Sequence, residues 1–363
     1  MCIWECQGWP KFRWNVDTLL GSLASARLKQ GRLLGTMVRL GFHLKREAQL
    51  ASLTENVIKS SEIEGEVLEG AAVRSSIARR LGVAEANVTP ADRRTEGVVE
   101  MMLDATERYD APLTAKRLFG WHAALFPTGY AGVRPVLVGA WRNDADGPMQ
   151  VVSGALGRER VHYQAPPAPK VAAEMAGFLE WFNRRTAPEG LLRAGLAHLW
   201  FVTLHPFADG NGRIARAIAD QALAQSEGSS QRFYSMSSQI RKERTRYYDL
   251  LERTQRSGLD ITEWLGWFLE CLSRAIDGAA LVSATVLAKA DFWERSAREP
   301  FTPRQKLVLN RFLDGFEGSL TAKKWSVIGK CSVPTAQRDL TDLVERGVLR
   351  RNSGGSKNTS YSV

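Results

Sequence analysis

One stretch of this 363-residue chain limits its fold more than any other: His205-Pro206-Phe207-Ala208-Asp209-Gly210-Asn211-Gly212-Arg213-Ile214-Ala215-Arg216. The run before it, Leu191 to Leu204, is largely apolar and reads as a buried helix. Pro206 disfavours helical backbone at His205, so that helix ends there. Asp209 to Gly212 forms a tight loop that needs the conformational freedom of glycine. A new helix starts near Arg213. The centre of the chain is therefore helix, sharp turn, helix.

The same stretch carries chemistry. A glycine-rich loop feeding a helix start aims free backbone N–H groups at one point, which makes an anion site. Arg213 and Arg216 are three residues apart and share a helix face. Two guanidiniums beside such a nest suit a polyphosphate. Asp209 offers a hard oxygen ligand for Mg²⁺, which commonly binds a carboxylate together with phosphate. His205 supplies a base that titrates near neutrality. Together these groups suggest phosphoryl or nucleotidyl transfer. A bare His-x-x-x-Asp could hold a transition metal, but the flanking glycines and arginines favour phosphate. G-x-x-x-x-G-K-[ST], H-E-x-x-H and the protein-kinase set do not occur. His43, His122, His162 and His198 are read as structural, with His198 in the core.

Around this centre the pattern is mostly helical. Leucines recur at helical spacing from Val16 to about Arg46, and a second helix is expected from Ala48 to Glu64, stopped by Gly65. Val171, Met175, Phe178 and Phe182 form one helical stripe. Asp260-Ile261-Thr262-Glu263 matches a capping box before the helix that contains Trp264, Trp267 and Phe268. Met149–Val152 and Arg160–Tyr163, joined by a glycine-rich turn, read as a β-hairpin. Beyond residue 300 the expected elements are a helix opening at Thr302-Pro303, one at Thr321–Ile328 and one from Pro334 to Arg346, ended by Gly347. Val348–Arg351, Gly354-Gly355 and Thr359–Val363 follow as a hairpin, giving a winged helix-turn-helix pattern.

Composition adds bounds. The length suggests two or three units, and 44% hydrophobic with 24% charged residues is a globular mix. The net charge of +10 favours polyanionic partners without choosing among them. Cys2, Cys6, Cys271 and Cys331 form no metal-type pair and fit a reducing cytosol. The N-terminus lacks a leader pattern, and no run of 18 apolar residues occurs. The expected location is cytoplasmic, with no membrane partner.

Residues 205–216 resemble the Fic family signature, H-P-F-x-D/E-G-N-G-R-x-x-R, at every specified position. With nine fixed positions, chance agreement is about 10⁻¹² per start site at ordinary residue usage. The resemblance covers about residues 45–275. It implies a mostly α Fic core with a small β-hairpin flap, an N-terminal helical regulatory region and a C-terminal winged helix. The corresponding divisions are 1–100, 101–280 and 281–363.

The implied activity is protein adenylyltransfer: AMP moves from Mg·ATP to a Ser, Thr or Tyr hydroxyl of a target protein or of the enzyme itself. In that reading His205 takes the hydroxyl proton and Asp209 holds Mg²⁺. Gly210, Asn211 and Gly212 cradle the α- and β-phosphates, Arg213 meets the β-phosphate and Arg216 the γ-phosphate. Phe207 anchors the loop, and the 149–163 hairpin holds the target by strand pairing. Tyr247 and Tyr248 resemble a family pair near the nucleotide, with adenine packing and core packing both open. Ser60-Ser61-Glu62-Ile63-Glu64-Gly65 resembles the family's inhibitory motif, S/T-x-x-x-E-G/N. It implies that Glu64 pairs with Arg216 and displaces the γ-phosphate. In some relatives that glutamate assists AMP removal.

Two alternatives stay open. The terminal winged helix suits a DNA-binding regulator, through Lys323, Lys324, Lys330, Arg338, Arg350, Arg351 and Lys357, although Asp339, Asp342 and Glu345 on its third helix oppose this. The same domain could bind protein, or pair with a second copy. Alternatively, the donor is another nucleotide or CDP-choline.

Overall fold

A computed structural model describes residues 1–38, 42–83, 88–145, 147–154, 158, 160–185, 188–296, 299–313, 318–352 and 359–363. The chain is mostly α, and among the described residues the strands form three two-stranded antiparallel hairpins. It begins with a 3-10 turn at Ile3–Glu5, then α1 (Val16–Val38), α2 (Phe42–Ile63), α3 (Gly70–Leu81), α4 (Arg93–Glu107) and α5 (Ala115–Leu125). Strands β1 (Tyr130–Ala131), β2 (Arg134–Pro135), β3 (Gln150–Ser153) and β4 (Arg160–Gln164) follow. Next come α6 (Ala168–Arg184), α7 (Gly190–Leu204), α8 (Asn211–Glu227), α9 (Met236–Lys242), α10 (Arg244–Gln255) and α11 (Thr262–Arg295). The remainder is α12 (Pro303–Leu313), α13 (Ala322–Ile328), α14 (Val333–Glu345), β5 (Arg350–Arg351) and β6 (Tyr361–Ser362).

The chain divides into two compact units, Met1–Ala279 and Ala280–Val363. The boundary expected near residue 100 falls inside α4, so the N-terminal helices and the core that follows them make one unit.

In the first unit every residue of α7 from Leu191 to Leu204 is buried. A helix apolar on all sides can lie only at the centre of a bundle. It packs along α8, whose short residues Ala215, Ala217, Ala219, Ala222 and Ala224 permit close approach. Phe178 and Phe182 of α6, and Trp264 and Phe268 of α11, fill in around them. Trp264 donates its indole N–H to the Gly195 carbonyl at 2.8 Å, so the large ring carries no orphan donor. Helix α2 is held in register by one buried amide. Asn56 donates to Asp220 of α8 at 2.7 Å and accepts from the Ser235 hydroxyl at 2.9 Å.

Three local readings are corrected. The span expected as one helix to Arg46 holds α1 and the start of α2, which begins at Phe42 rather than Ala48. The capping box at residue 260 is half formed. Asp260 accepts from the Thr262 N–H at 2.9 Å, but Glu263 pairs with Arg253 instead of returning to the cap. The β1–β2 hairpin was not anticipated, since two-residue strands are too short to show alternation.

In the second unit Thr302 and Gln305 cap α12 reciprocally, at 2.9 and 3.1 Å. Trp325, Leu340, Leu343 and Leu349 form its core. Asp339, one of the acids counted against a DNA-facing surface, is not on the surface. It is buried, bound by both arms of Arg304 at 2.7 and 2.9 Å and by the Trp325 indole N–H. A carboxylate this well matched to a guanidinium fork turns inward. Gly354-Gly355 and Lys357 lie outside the described residues.

Helices α4 and α5 cross at Gly97, where an added Cβ would overlap the Ala124 carbonyl. Backbone cannot yield as a flexible side chain can. Gly97→Ala is expected to destabilise the protein by about 2 kcal/mol or more, read as a lower urea midpoint.

Candidate functional site

The site forms where α7 ends and α8 begins. His205 adopts a left-handed conformation, φ 48°, as the C-cap of α7. Gly210, φ 80°, is the N-cap of α8, a conformation that favours glycine. Between them Asn211 closes the loop. Its side chain accepts from the Phe207 N–H at 3.0 Å and donates to the Phe207 carbonyl at 2.8 Å. The Asn211 side chain is therefore committed to the loop itself. Any cradling of an anion here falls to the first-turn N–H groups, which have no intrahelical partner.

Three side chains that the sequence reading did not single out for the site support this loop. Arg142 donates Nε to the His205 carbonyl at 2.8 Å, its backbone N–H to the Pro206 carbonyl at 2.9 Å and Nη2 to the Pro166 carbonyl. His122 accepts from the Gly139 N–H at Nδ1, so its Nε2–H donates to the Asp209 carbonyl at 3.2 Å. Its ring stacks on buried Phe207, centroids 4.3 Å apart, and burial pushes its pKa down to about 4. Glu66 is the third, through its ion pair with Arg213.

His205 is partly accessible and Asp209 is exposed, so both reach the mouth of the site. The His205 Nδ1 lies 3.2 Å from the Val202 carbonyl, which can only accept. The proton of the neutral ring is thus on Nδ1, and Nε2 carries the lone pair. Loss of solvation lowers the His205 pKa below its ordinary 6.5, against smaller opposing effects from the Val202 bond and nearby carboxylates.

Arg213 and Arg216 are 1% and 2% exposed. Each buried guanidinium meets a carboxylate from one turn. Gly65, φ 81°, ends α2 in a Schellman motif: its N–H reaches the Glu62 carbonyl at 3.1 Å, and the Glu66 N–H reaches Ser61 at 3.0 Å. That reversal presents Glu64 and Glu66 together. Glu64 pairs with Arg216 Nη2 at 2.8 Å, and Glu66 pairs with Arg213 Nη1 at 2.6 Å. Ser60 adds its hydroxyl at 2.9 Å and its carbonyl at 2.8 Å to Arg216. Burial is the largest single influence on Arg216 and opposes its charge, but Glu64, Tyr247 and Tyr248 together outweigh it and the pKa is raised; for Arg213 burial prevails and the pKa is lowered. Arg213 Nε and Arg216 Nη1 remain buried without partners. The Glu64 carboxylate lies against Gly212, where a Cβ would overlap it, and so sits over the first turn of α8.

The tyrosine pair separates. Tyr247 is buried, donates to or accepts from His198 at 2.9 Å and packs on Trp264 and Trp267. It is a core residue rather than a face for a base. Burial also pushes His198 down to about 3, so this partner is neutral. Tyr248 is half-buried, with its hydroxyl 3.4 Å from the Ile63 carbonyl at the end of α2 and the Arg244 guanidinium 5.1 Å over its ring.

The β3–β4 hairpin stands beside α10. Tyr163 donates to the Thr203 carbonyl at 2.8 Å, and Glu252 of α10 binds Arg160 at 3.0 Å and His162 at 2.5 Å. Residues 155–157 and 159 of its turn lie outside the described residues.

The sequence pattern described as Fic/DOC family matches residues 112–223, a span that contains the loop and both arginines. Residues 112–223 form a Fic/DOC family region. A second pattern, described only as a domain of unknown function (DUF4172), matches residues 2–83, which include α2. The protein adenylyltransferase Fic of Drosophila willistoni is 23% identical over 239 residues, 64% of this chain and 42% of that protein. Its Aedes aegypti counterpart is 26% identical over 263 residues, 69% and 46% of the two chains. This chain thus spans less than half the length of these curated relatives.

Among solved structures, a Fic family protein from Desulfovibrio desulfuricans G20 superposes with a TM-score of 0.55 at 22% identity, over 95% of each chain. A Fic domain containing signaling protein from Bacteroides thetaiotaomicron VPI-5482 gives 0.52 at 18% identity, over 72% of this chain and 98% of the other. At these identities the likeness is one of fold.

A lowered pKa means that His205 releases its proton at a lower pH than free imidazole and is neutral at pH 7. In a ¹⁵N NMR titration its midpoint should fall below 6.5, with the neutral form protonated at Nδ1. A midpoint above 6.5 would contradict the desolvated site.

Proposed function

We propose that this protein transfers AMP from Mg·ATP to a hydroxyl group of a protein, and that Glu64 holds the activity in check. The observation that carries this reading is the pair of buried arginines on the first turns of α8. Each keeps an unpartnered donor, on a helix whose first turn has no side-chain cap from its N-cap residue, Gly210. Such a site is built for several negative charges at once. The relatives named protein adenylyltransferase support AMP as the group transferred.

The chemistry follows from where the groups stand. An incoming Ser, Thr or Tyr hydroxyl gives its proton to His205 Nε2. Its oxygen bonds to the α-phosphorus, the bond from that phosphorus to the bridging oxygen breaks, and pyrophosphate leaves. The first-turn N–H groups of Asn211, Gly212 and Arg213 stabilise the charge on the phosphates, with Arg213 and Arg216 farther along the chain of phosphates. Asp209 is the exposed carboxylate that would hold magnesium. Among the described residues no three His, Cys, Asp or Glu side chains form an all-protein metal cage, so the phosphates would complete the shell. The ion would neutralise phosphate charge. The β3–β4 hairpin offers an edge for an extended target segment, and Tyr248 sets an aromatic ring at the end of α2.

Glu64 acts by occupying space and charge. Its carboxylate rests on the first turn of α8 and binds Arg216, so a terminal phosphate must displace it. Ser60 holds the same guanidinium. The donor and the direction of transfer are tested together by offering labelled ATP, UTP, GTP and CDP-choline, and by presenting an AMP-modified target. His205→Ala should abolish incorporation from labelled ATP while leaving the circular dichroism spectrum unchanged. Glu64→Gly should raise incorporation tenfold or more, about 1.4 kcal/mol per factor of ten. Unchanged incorporation in both variants would refute the reading.

The C-terminal unit supports a second, additional reading, a winged helix that contacts duplex DNA. Asp339, one of three acids weighed against it, is turned inward and paired. Lys323, Lys330, Arg338, Arg350 and Arg351 are exposed. Residues 280–363 carry 14 Lys and Arg against 8 Asp and Glu, more than half of the net charge of the chain. Binding to a labelled duplex, measured by anisotropy, should weaken steeply as salt rises and should be reduced by Arg338→Ala. No salt-dependent binding would remove this reading.

A further inference from the structure

Glu64 and Glu66 flank one glycine and each pairs with one buried arginine of α8, yet their surroundings differ. Glu64 lies over Gly212, in the seat of an anion at the helix start. Glu66 reaches Arg213 only at Nη1. Nε, on the other edge of that guanidinium, is buried without a partner. The Phe126 ring lies against the Arg213 guanidinium, 5.3 Å from its centroid. Arg94, from the first turn of α4, binds the other oxygen of Glu66 and fixes the carboxylate from behind. Arg213 is thus held on one face and one edge, and its second edge is left free.

We infer that Glu66 is a positioning residue for nucleotide binding, opposite in effect to Glu64: it aims Arg213 at a phosphate instead of excluding one. The inference rests on the adenylyltransfer reading above and assigns a role to a residue outside the inhibitory motif. A phosphate can take the free edge of Arg213 without displacing Glu66, whereas it must displace Glu64 to reach the first turn of α8. The relay runs from Arg94 through Glu66 to Arg213, and a buried guanidinium aimed in advance loses less freedom when its ligand arrives. Removing Glu66 leaves Arg213 charged, buried and free to turn.

The test uses the full chain carrying Glu64→Gly, with Mg·ATP titrated by calorimetry and AMP incorporation followed in parallel. Adding Glu66→Gln should weaken ATP binding about tenfold, the scale of one charge-assisted contact, and raise KM for ATP with little change in kcat. Arg94→Ala removes only the exposed end of the relay and serves should Glu66→Gln fold poorly; it should weaken ATP binding about threefold, as loss of a support outside the site. Glu66→Asp should recover part of the affinity lost by Glu66→Gln. Unchanged affinity in Glu66→Gln and Arg94→Ala would overturn the inference, and tighter binding would make Glu66 a second blocking carboxylate. If Glu64→Gly with Glu66 intact binds no ATP, the adenylyltransfer reading itself fails.

Discussion

Two guanidiniums buried on one face of a helix are the condition that the rest of the site must satisfy. A buried cation without a partner is costly, and the cost falls only when a carboxylate or a phosphate is close. Arg213 and Arg216 are almost wholly removed from solvent, and each finds its carboxylate in the three residues that follow α2. The turn at Gly65 is what allows one short segment to serve both. Its left-handed backbone reverses the chain and places residues on either side of the glycine against α8. The N-terminal helices and the signature loop are therefore coupled through charge as well as packing.

The loop itself depends on backbone capture. Asn211 ties Phe207 across the turn, Arg142 holds the carbonyls at its entrance, and His122 holds the Asp209 carbonyl. These contacts leave the exposed chemistry to few atoms: one imidazole nitrogen, one carboxylate and the N–H groups at the start of α8. Rigid support beneath a small number of reactive groups is the arrangement that electrostatic catalysis requires.

Much of this was legible before folding. The apolar run 191–204, the proline after His205 and the glycines around Asn211 fix the helix-turn-helix locally, because each acts through backbone preference within a few residues. Arg213 and Arg216 fall on one face through helical spacing alone. The end of α2 at Gly65 and the hairpin at residues 149–163 follow from the same short-range rules. Tyr247 and Tyr248 were not separable, since adjacent helical residues point about 100° apart and only packing decides which faces inward. Asp339 misled for a related reason: charge in a sequence does not tell whether a matching arginine waits inside the fold.

The sequence by itself determined where the helices on either side of the signature loop end and begin, which residues could carry a proton, a metal or a phosphate, and that a loop would feed an N-terminus with two arginines. Those properties come from dihedral preferences and side-chain chemistry, which act within a turn or two. Only the tertiary structure decided that Arg142 and His122 brace the loop, that Glu66 joins Arg94 to Arg213, and that Tyr247 belongs to the core. Each of those pairings links residues far apart in the chain. No local pattern encodes them, because they arise when packed helices bring buried charges and unfilled hydrogen-bonding groups within reach of one another.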